Sequence, residues 1–318
     1  MKLLFDKGGQ GSAEIKQLLG FTDGDIKFEN LKPKLYPATD NVIEIIGTNL
    51  YNVLIGIYEA SSASEGDAEF LRRVQTVILL DGYRNYAKDN DLSHSSNGRV
   101  NQINDKQKLA WEWQIVNSDR KMERDYYLLL DKLIKYMDGN VSGWKTSQSY
   151  KDTYNHLVRT ASEIDDYFNI EGSRLLYIKL LPGIKKAERD EIIPLLTEPV
   201  YESLKQKLKD NDNTYDKKLY NLVKEALVYK GLSWGIPRLS AQLFPEGVLQ
   251  VADASRLSIS ARKSAEKFEA DSLSQRFAKD AQKAFEAIAD YLKSLETSTL
   301  PVEEYKREFN PDDKFVDC

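Results

Sequence analysis

The 318 residues contain one cysteine, Cys318, and two histidines, His94 and His156. A single cysteine cannot make an internal disulfide framework or a thiolate zinc cage. No stretch reaches the roughly 18 consecutive apolar residues of a membrane span. The opening MKLLFDKGGQGS has three apolar residues in a row before a charge, short of the roughly 7–15 in the apolar core of a secretory signal. These absences predict a chain made and kept, or assembled, in the cytoplasm, with no membrane association. A basic excess is also missing. The formal charge of −5 gives no reason to expect general attraction to nucleic acid phosphates, although a local basic patch stays open.

What is present is the composition of a globular chain: 41% hydrophobic and 30% charged residues, enough for two domains with their own cores. Comparing each residue with one 149 further on shows a duplication. Glu14-Ile15 meets Glu163-Ile164, Leu31 and Pro33 meet Leu180 and Pro182, Leu35 meets Ile184, and Ala38 meets Ala187. One inserted residue moves the offset to 150, pairing Val42-Ile43 with Ile192-Ile193, Tyr51 with Tyr201 and Leu54 with Leu204. The 149 offset returns at Val74 and Val223, Gly82 and Gly231, and Gly98 and Gly247, and six further residues bring Tyr136 onto Tyr291. The period exceeds the roughly 20–50 residues of solenoid units, so it reads as a duplicated domain.

Each copy parses alike. A short helix (Ser12 to Leu19; Ala161 to Phe168) leads to an extended link carrying Pro33 or Pro182. A helix with Val42, Ile43, Ile46, Leu50 and Leu54, or Ile192, Ile193, Leu196, Val200 and Leu204, follows at helical spacing. The third helix is marked by Phe70, Val74, Val77 and Ile78, or by Leu219, Leu222, Val223, Ala226 and Leu227. Asp216 fits its N-cap and Gly231 its stop. Asp89-Asn90-Asp91, Ser93, Ser95, Ser96, Asn97 and Gly98 read as turns. Phe244-Pro245-Glu246-Gly247 reads as a turn entering a strand at Val248–Val251.

Long helices close the copies. Residues 106 to 138 carry Leu109, Trp113, Val116, Tyr127, Leu130, Ile134 and Met137; residues 260 to 296 carry Phe268, Phe277, Ala281, Ala284, Ile288 and Leu292. The expected fold is mainly α: two tandem helical copies, 1–145 and 161–296, each with a small β-hairpin or loop excursion before its long C-terminal helix. A linker at 146–160 joins them, and an extended tail, 297–318, follows.

Reactive constellations are not evident. His94 lies in a Ser/Asn-rich loop and His156 among the aromatic and basic residues of an amphipathic helix, and neither is matched by a histidine in the other copy. Asp81, Asp89, Asp91 and Asp105 lack calcium-loop spacing. Asp165-Asp166 and Asp312-Asp313 read as solvated turn acids. Gly8-Gly9-Gln10-Gly11 lacks the Lys-Ser/Thr of a phosphate loop. Tyr126-Tyr127 and the pair Trp111 and Trp113 could stack on bases, but on a long amphipathic helix they read as core or subunit contacts. No catalytic residue, cofactor or metal site is expected.

The run FLRRVQTVILLDGYRNYAKDNDLSHSSNGRV with KLAWEWQI and LLLDKLIKYMD, and the run ASEIDDYFNIEGSRLLYIKLLPGIKKAERDEIIPLL, resemble an uncharacterised family of Bacteroidetes phage and prophage proteins. That family is similar, more distantly, to head–tail connector or neck-ring proteins of tailed phages. The resemblance implies a non-enzymatic virion protein, assembled in the bacterial host, that forms a homo-oligomeric ring bridging portal and tail. Such a ring would enclose a DNA channel without reading sequence. The candidate subunit contacts are Trp111 and Trp113, Gly98, Gly247 with Phe244, and the tail residues Tyr305 and Phe309. The alternatives are a helical adaptor or scaffold (capsid decoration, tail assembly or a host regulatory module), or an enzyme, which would need acids and tyrosines converging in a pocket.

Overall fold

A computed structural model describes residues 1–21, 26–91, 93–95, 98–100, 111–239, 241–243, 249–251 and 267–299. The first copy comprises α1 (Gly11–Leu19), α2 (Phe28–Ile46), α3 (Thr48–Glu59), α4 (Glu65–Asn90), a hairpin of β1 (Ser93–Ser95) and β2 (Gly98–Val100), and α5 (Glu112–Asn140). A short helix α6 (Gln148–Thr153) leads into the second copy. That copy comprises α7 (Ala161–Asp165), α8 (Arg174–Ala187), one π turn (Glu188–Ile192), α9 (Ile193–Leu196), α10 (Glu198–Lys209), α11 (Lys217–Leu239), a hairpin of β3 (Ala241–Leu243) and β4 (Leu249–Val251), and α12 (Lys267–Thr299). The fold is mainly α, with two tandem helical copies, each carrying a small antiparallel hairpin before its last helix.

The offsets found in the sequence correspond to physical contacts. Gly82 and Gly231 are each 149 residues from one another's place, as are Leu35 and Ile184. The structure puts these pairs together: a Cβ on Gly82 would lie 2.7 Å from Leu35 Cδ2, and one on Gly231 2.7 Å from Ile184 Cγ1. Both glycines therefore let a long helix press against an earlier one of its copy, α4 against α2 and α11 against α8. Gly231 does not stop α11, which runs on to Leu239; its backbone is helical and it serves close approach. In both copies a tyrosine of the last helix reaches the start of the long helix before the hairpin, α4 or α11: Tyr136 Oη donates to the Gly66 carbonyl (3.3 Å) and Tyr291 Oη to Asp216 (2.8 Å). Asp216 does cap α11, accepting from the Lys218 and Leu219 amides at 2.9 and 3.0 Å.

The inserted residue is visible as the π turn. It falls between Ala187 and Ile192, and the turn spans Glu188–Ile192. An extra residue in an α-helix would rotate everything after it by about 100°. A π turn absorbs that residue locally, so Ile192 and Leu196 stay buried just as Val42 and Ile46 do.

Several expectations are corrected. Pro33 and Pro182 lie inside helices α2 and α8, as does Pro37, and not in extended links. Proline in a helix frees the carbonyl four residues earlier. All three prolines are on exposed faces, where water can take that carbonyl and the helix can bend around the core. The stripe from Val42 to Leu54 belongs to two helices, because Gly47 (φ 85°, ψ 150°) breaks it; Thr197 (φ 68°, ψ 147°) breaks the second copy at the equivalent place. Val200, expected in that stripe, is exposed, as is Phe268. Helix α4 continues through Asp89-Asn90, and Ser93–Ser95 is a strand. Helix α7 ends at Asp165, before the expected Phe168. Leu109 and the start of both long helices as drawn from the sequence lie outside the described residues.

The linker expected at 146–160 is ordered and buried. Tyr150, Tyr154, Leu157 and Val158 belong to one hydrophobic core with both copies. An apolar strand-like segment also precedes each short helix. Leu3, Leu4 and Phe5 are buried, with Leu4 and Lys2 carbonyls accepting from Gln75 (2.6 Å) and Tyr51 (2.8 Å). Leu157 and Val158 carbonyls accept from Tyr220 (3.0 Å) and Tyr177 (3.1 Å). Glu14 and Glu163, the first matched pair, each take a backbone amide of that preceding segment, from Asp6 and Arg159 respectively.

Candidate interaction surface

Antiparallel packing of α4 with α5, and of α11 with α12, brings three features to one end of each copy: the C-terminal turns of α4 or α11, the hairpin, and the first turn of α5 or α12. In the first copy Trp111 stands at the N-cap of α5. Its amide donates to the Gln114 side chain (3.0 Å) and its carbonyl receives the Gln114 amide (2.8 Å). The backbone is thus fixed while the indole is 71% exposed, and Trp113 is 49% exposed. Neither is a core residue. In the second copy Phe268, 155 residues beyond Trp113, is 80% exposed. Both residues are second in their helix. The same place in each copy therefore carries an aromatic left largely in water.

The other proposed contacts are less informative. Gly98 is the first residue of β2, and the register pairs it with Ser95. In the second hairpin the first residue of β4 is Leu249. Gly247 and Phe244 lie outside the described residues, as do Tyr305 and Phe309 of the tail.

Between α4 and α5 at this end lies a groove of about 630 Å³, floored by Leu80, Tyr83, Ala87 and Met122, with Phe21 against the Tyr83 ring edge at 5.5 Å. The corresponding space in the second copy is filled. Tyr229, 149 beyond Leu80, and Phe277, 155 beyond Met122, stack at 6.2 Å, and Phe168 meets Phe277 edge-on at 5.1 Å. Helices α11 and α12 approach through small residues: Ser274 Oγ donates to the Ser233 carbonyl at 2.7 Å, and Ala281 and Ala284 are buried. Arg84 occupies the place of Ser233, bonded to Asp81 at 2.7 Å with its guanidinium 4.8 Å from the Tyr126 ring. Tyr126 stands in the place of Ala281. These larger groups hold α4 and α5 apart.

The polar interior has structural occupations. Asp131 of α5, 1% exposed, accepts from the Ala161 amide (2.9 Å), the Ser162 amide (3.2 Å) and hydroxyl (2.9 Å), and meets Arg174 at 3.3 Å. It caps α7 of the other copy. Arg159 spans Asp138 (2.6 Å) and Tyr154 (2.8 Å). Asp165 closes a loop on the Ile170 and Gly172 amides, so it is not a solvated turn acid. His156 lies past the end of α6, not on a helix, with Nδ1 3.5 Å from the buried Glu188, which accepts the Leu157 amide at 2.5 Å. His94 is in β1. Asp81 with Asn41 (3.0 Å) in the first copy is answered by Lys230 with Glu191 (3.0 Å) in the second. The contact is duplicated while its chemistry changes. Among the described residues no group of His, Cys, Asp and Glu could hold a metal ion, and no helix is long and apolar enough to cross a membrane.

Residues 42–154 and 192–307 each match a family of unknown function, DUF6712. The two matches cover well over half of the chain, which belongs to this family twice over. They begin 150 residues apart, the offset that pairs Val42 with Ile192. No curated protein and no solved structure matches the chain.

Proposed function

We propose that this DUF6712 protein is a non-enzymatic assembly subunit: a head–tail connector or neck-ring component of a tailed phage, bridging portal and tail. The observation that carries the reading is the repeated exposed aromatic, Trp113 with Trp111 in one copy and Phe268 in the other. A closed ring needs heterologous contacts that repeat under rotation, and desolvated aromatics are the residues that anchor such contacts. The polar clusters support it from the other side: Asp131 and Arg159 tie the two copies together, and Asp165 closes a loop within the second. Ring formation requires such a rigid subunit.

The test is the assembly state of the purified full-length chain, alone and with portal protein, by light scattering and negative-stain microscopy. Closed rings are expected, and Trp113→Ser with Phe268→Ser should reduce them to monomers that keep their helical spectrum. A wild-type chain that stays monomeric in both settings and is absent from virions ends the proposal. A helical adaptor is the second reading, and the open groove of the first copy is the observation that favours it.

A further inference from the structure

We propose that the α4–α5 groove of the first copy is a docking site for a basic amphipathic helix of a partner protein, one that inserts bulky apolar side chains and sets Lys or Arg at the rim. This goes beyond ring assembly and is independent of it.

Three observations converge. First, the groove is a space the fold knows how to fill. Its counterpart in the second copy holds Tyr229, Phe277 and Phe168, so the same helical frame accepts aromatic side chains there. The residues reaching into the space are smaller in the first copy at three matched places: Leu80 for Tyr229, Ala87 for Ile236 and Met122 for Phe277. The open groove of the first copy encloses about 630 Å³.

Second, the rim is acidic. Asp91, Asp119 and Asp125 line it with a single cation, Lys121, which Asp125 already holds at 2.6 Å. Burial, and then the neighbouring Asp119 carboxylate, push the Asp91 carboxyl up, and a positive charge from outside would offset the repulsion between the two acids. In the second copy Asp91 and Asp119 are replaced by Ser240 and Ser274. The charge pair therefore accompanies the open groove and is missing where the groove is filled.

Third, the geometry suits a helix. The groove runs between two antiparallel helices from Leu80 to Asp91 on α4, and an amphipathic helix laid there presents apolar residues at helical spacing to the floor and basic ones to the rim. Trp111 and Trp113 come just before its lining residues Gln114 and Ile115 in the chain.

The experiment uses the full-length chain and two fluorescein-labelled synthetic helical peptides with the same Leu/Phe face, one with Lys and the other with Glu on the polar face. Binding is read by anisotropy at low and high salt, and self-association by light scattering in the same samples. The Lys peptide should bind at least about tenfold more tightly than the Glu peptide, a difference of about 1.4 kcal/mol. The triple variant Leu80→Tyr, Ala87→Ile, Met122→Phe installs the second copy's residues, retains every rim charge, and should lower Lys-peptide affinity about tenfold or more. Ser118→Leu, at an exposed rim position where the second copy has Leu273, blocks the groove without touching the core and should do the same. Asp91→Asn with Asp119→Asn should weaken binding and flatten its salt dependence. Equal binding of the two peptides overturns the proposal. So does unchanged binding by Ser118→Leu or by a folded triple variant, or a groove block that abolishes only self-association, which would make a second copy the occupant. Rings that persist in the blocked variants leave the assembly reading standing while the groove is judged separately.

Discussion

Thr197→Gly should make this protein more stable, although it removes a side chain and adds backbone freedom. Thr197 joins α9 to α10 with φ 68° and ψ 147°, a region that essentially only glycine occupies, at a cost of roughly 1–3 kcal/mol for other residues. A β-branched residue is among the least suited to it. The first copy shows the unstrained version, with Gly47 at φ 85° and ψ 150°. In both copies the carbonyl of this residue accepts the amide four residues on, from Tyr51 or Tyr201, at 3.1 Å. The Thr197 hydroxyl makes no side-chain cap, so its loss removes no hydrogen bond from the helix start. Against the relieved strain stands the greater freedom of glycine in the unfolded chain, roughly 0.5–1 kcal/mol. The balance is a stabilisation on the order of 1 kcal/mol. Urea unfolding followed by circular dichroism should show a higher midpoint at an unchanged slope. Gly47→Ala should go the other way and further, because its Cβ would overlap Ser149 Oγ in addition to the backbone strain. A Thr197→Gly protein no more stable than wild type, beside a Gly47→Ala protein that loses nothing, would refute the claim that this link is held by the packing of both copies against local preference.

Three further outcomes follow from the packing. Gly231→Val should destabilise by about 1–3 kcal/mol through overlap with Ile184, and Ile184→Ala in the same chain should recover part of that, which a double-mutant cycle in urea would measure. Asp131→Ala should cost about 1–3 kcal/mol, because it leaves the amides that begin α7 and the half-buried Arg174 without their partner; near-wild-type melting would mean that this cap does not join the copies. Alkali should unfold the protein over a defined window. Burial raises the Tyr51 hydroxyl from 10.0 to about 12 and raises Tyr126, Tyr177 and Tyr220 as well. The folded state then holds protons that the unfolded state releases, so stability is full below pH 10 and falls as pH rises toward 12; tyrosinate absorbance should appear together with loss of helix, and gradual ionisation in a still-helical protein would contradict it.

What the sequence made legible was whatever duplication had kept, and duplication kept volumes and turns. Gly82 and Leu35 could be matched to Gly231 and Ile184 because a close helix crossing tolerates only glycine facing a particular bulk, and both members were retained. The one-residue shift after Ala187 was readable for the same reason, although only the coordinates reveal that a π turn takes it up. Proline breaks a helix or merely bends it according to the face it lies on, which the sequence does not reveal; Pro33 and Pro182 face water, where a freed carbonyl is inexpensive. The capping role of Asp131 was invisible because its partners, Ala161 and Ser162, lie 30 and 31 residues away on another copy.

The groove was hidden for a deeper reason. It is defined by a difference between matched positions, and a search for identity passes over differences. Leu80, Ala87 and Met122 are unremarked apolar residues until set beside Tyr229, Ile236 and Phe277. A duplicated domain supplies its own control in this respect: where the copies agree, the residues are needed to build the unit, and where one copy fills a space that the other leaves open behind an acidic rim, the departure marks the copy that has something to bind.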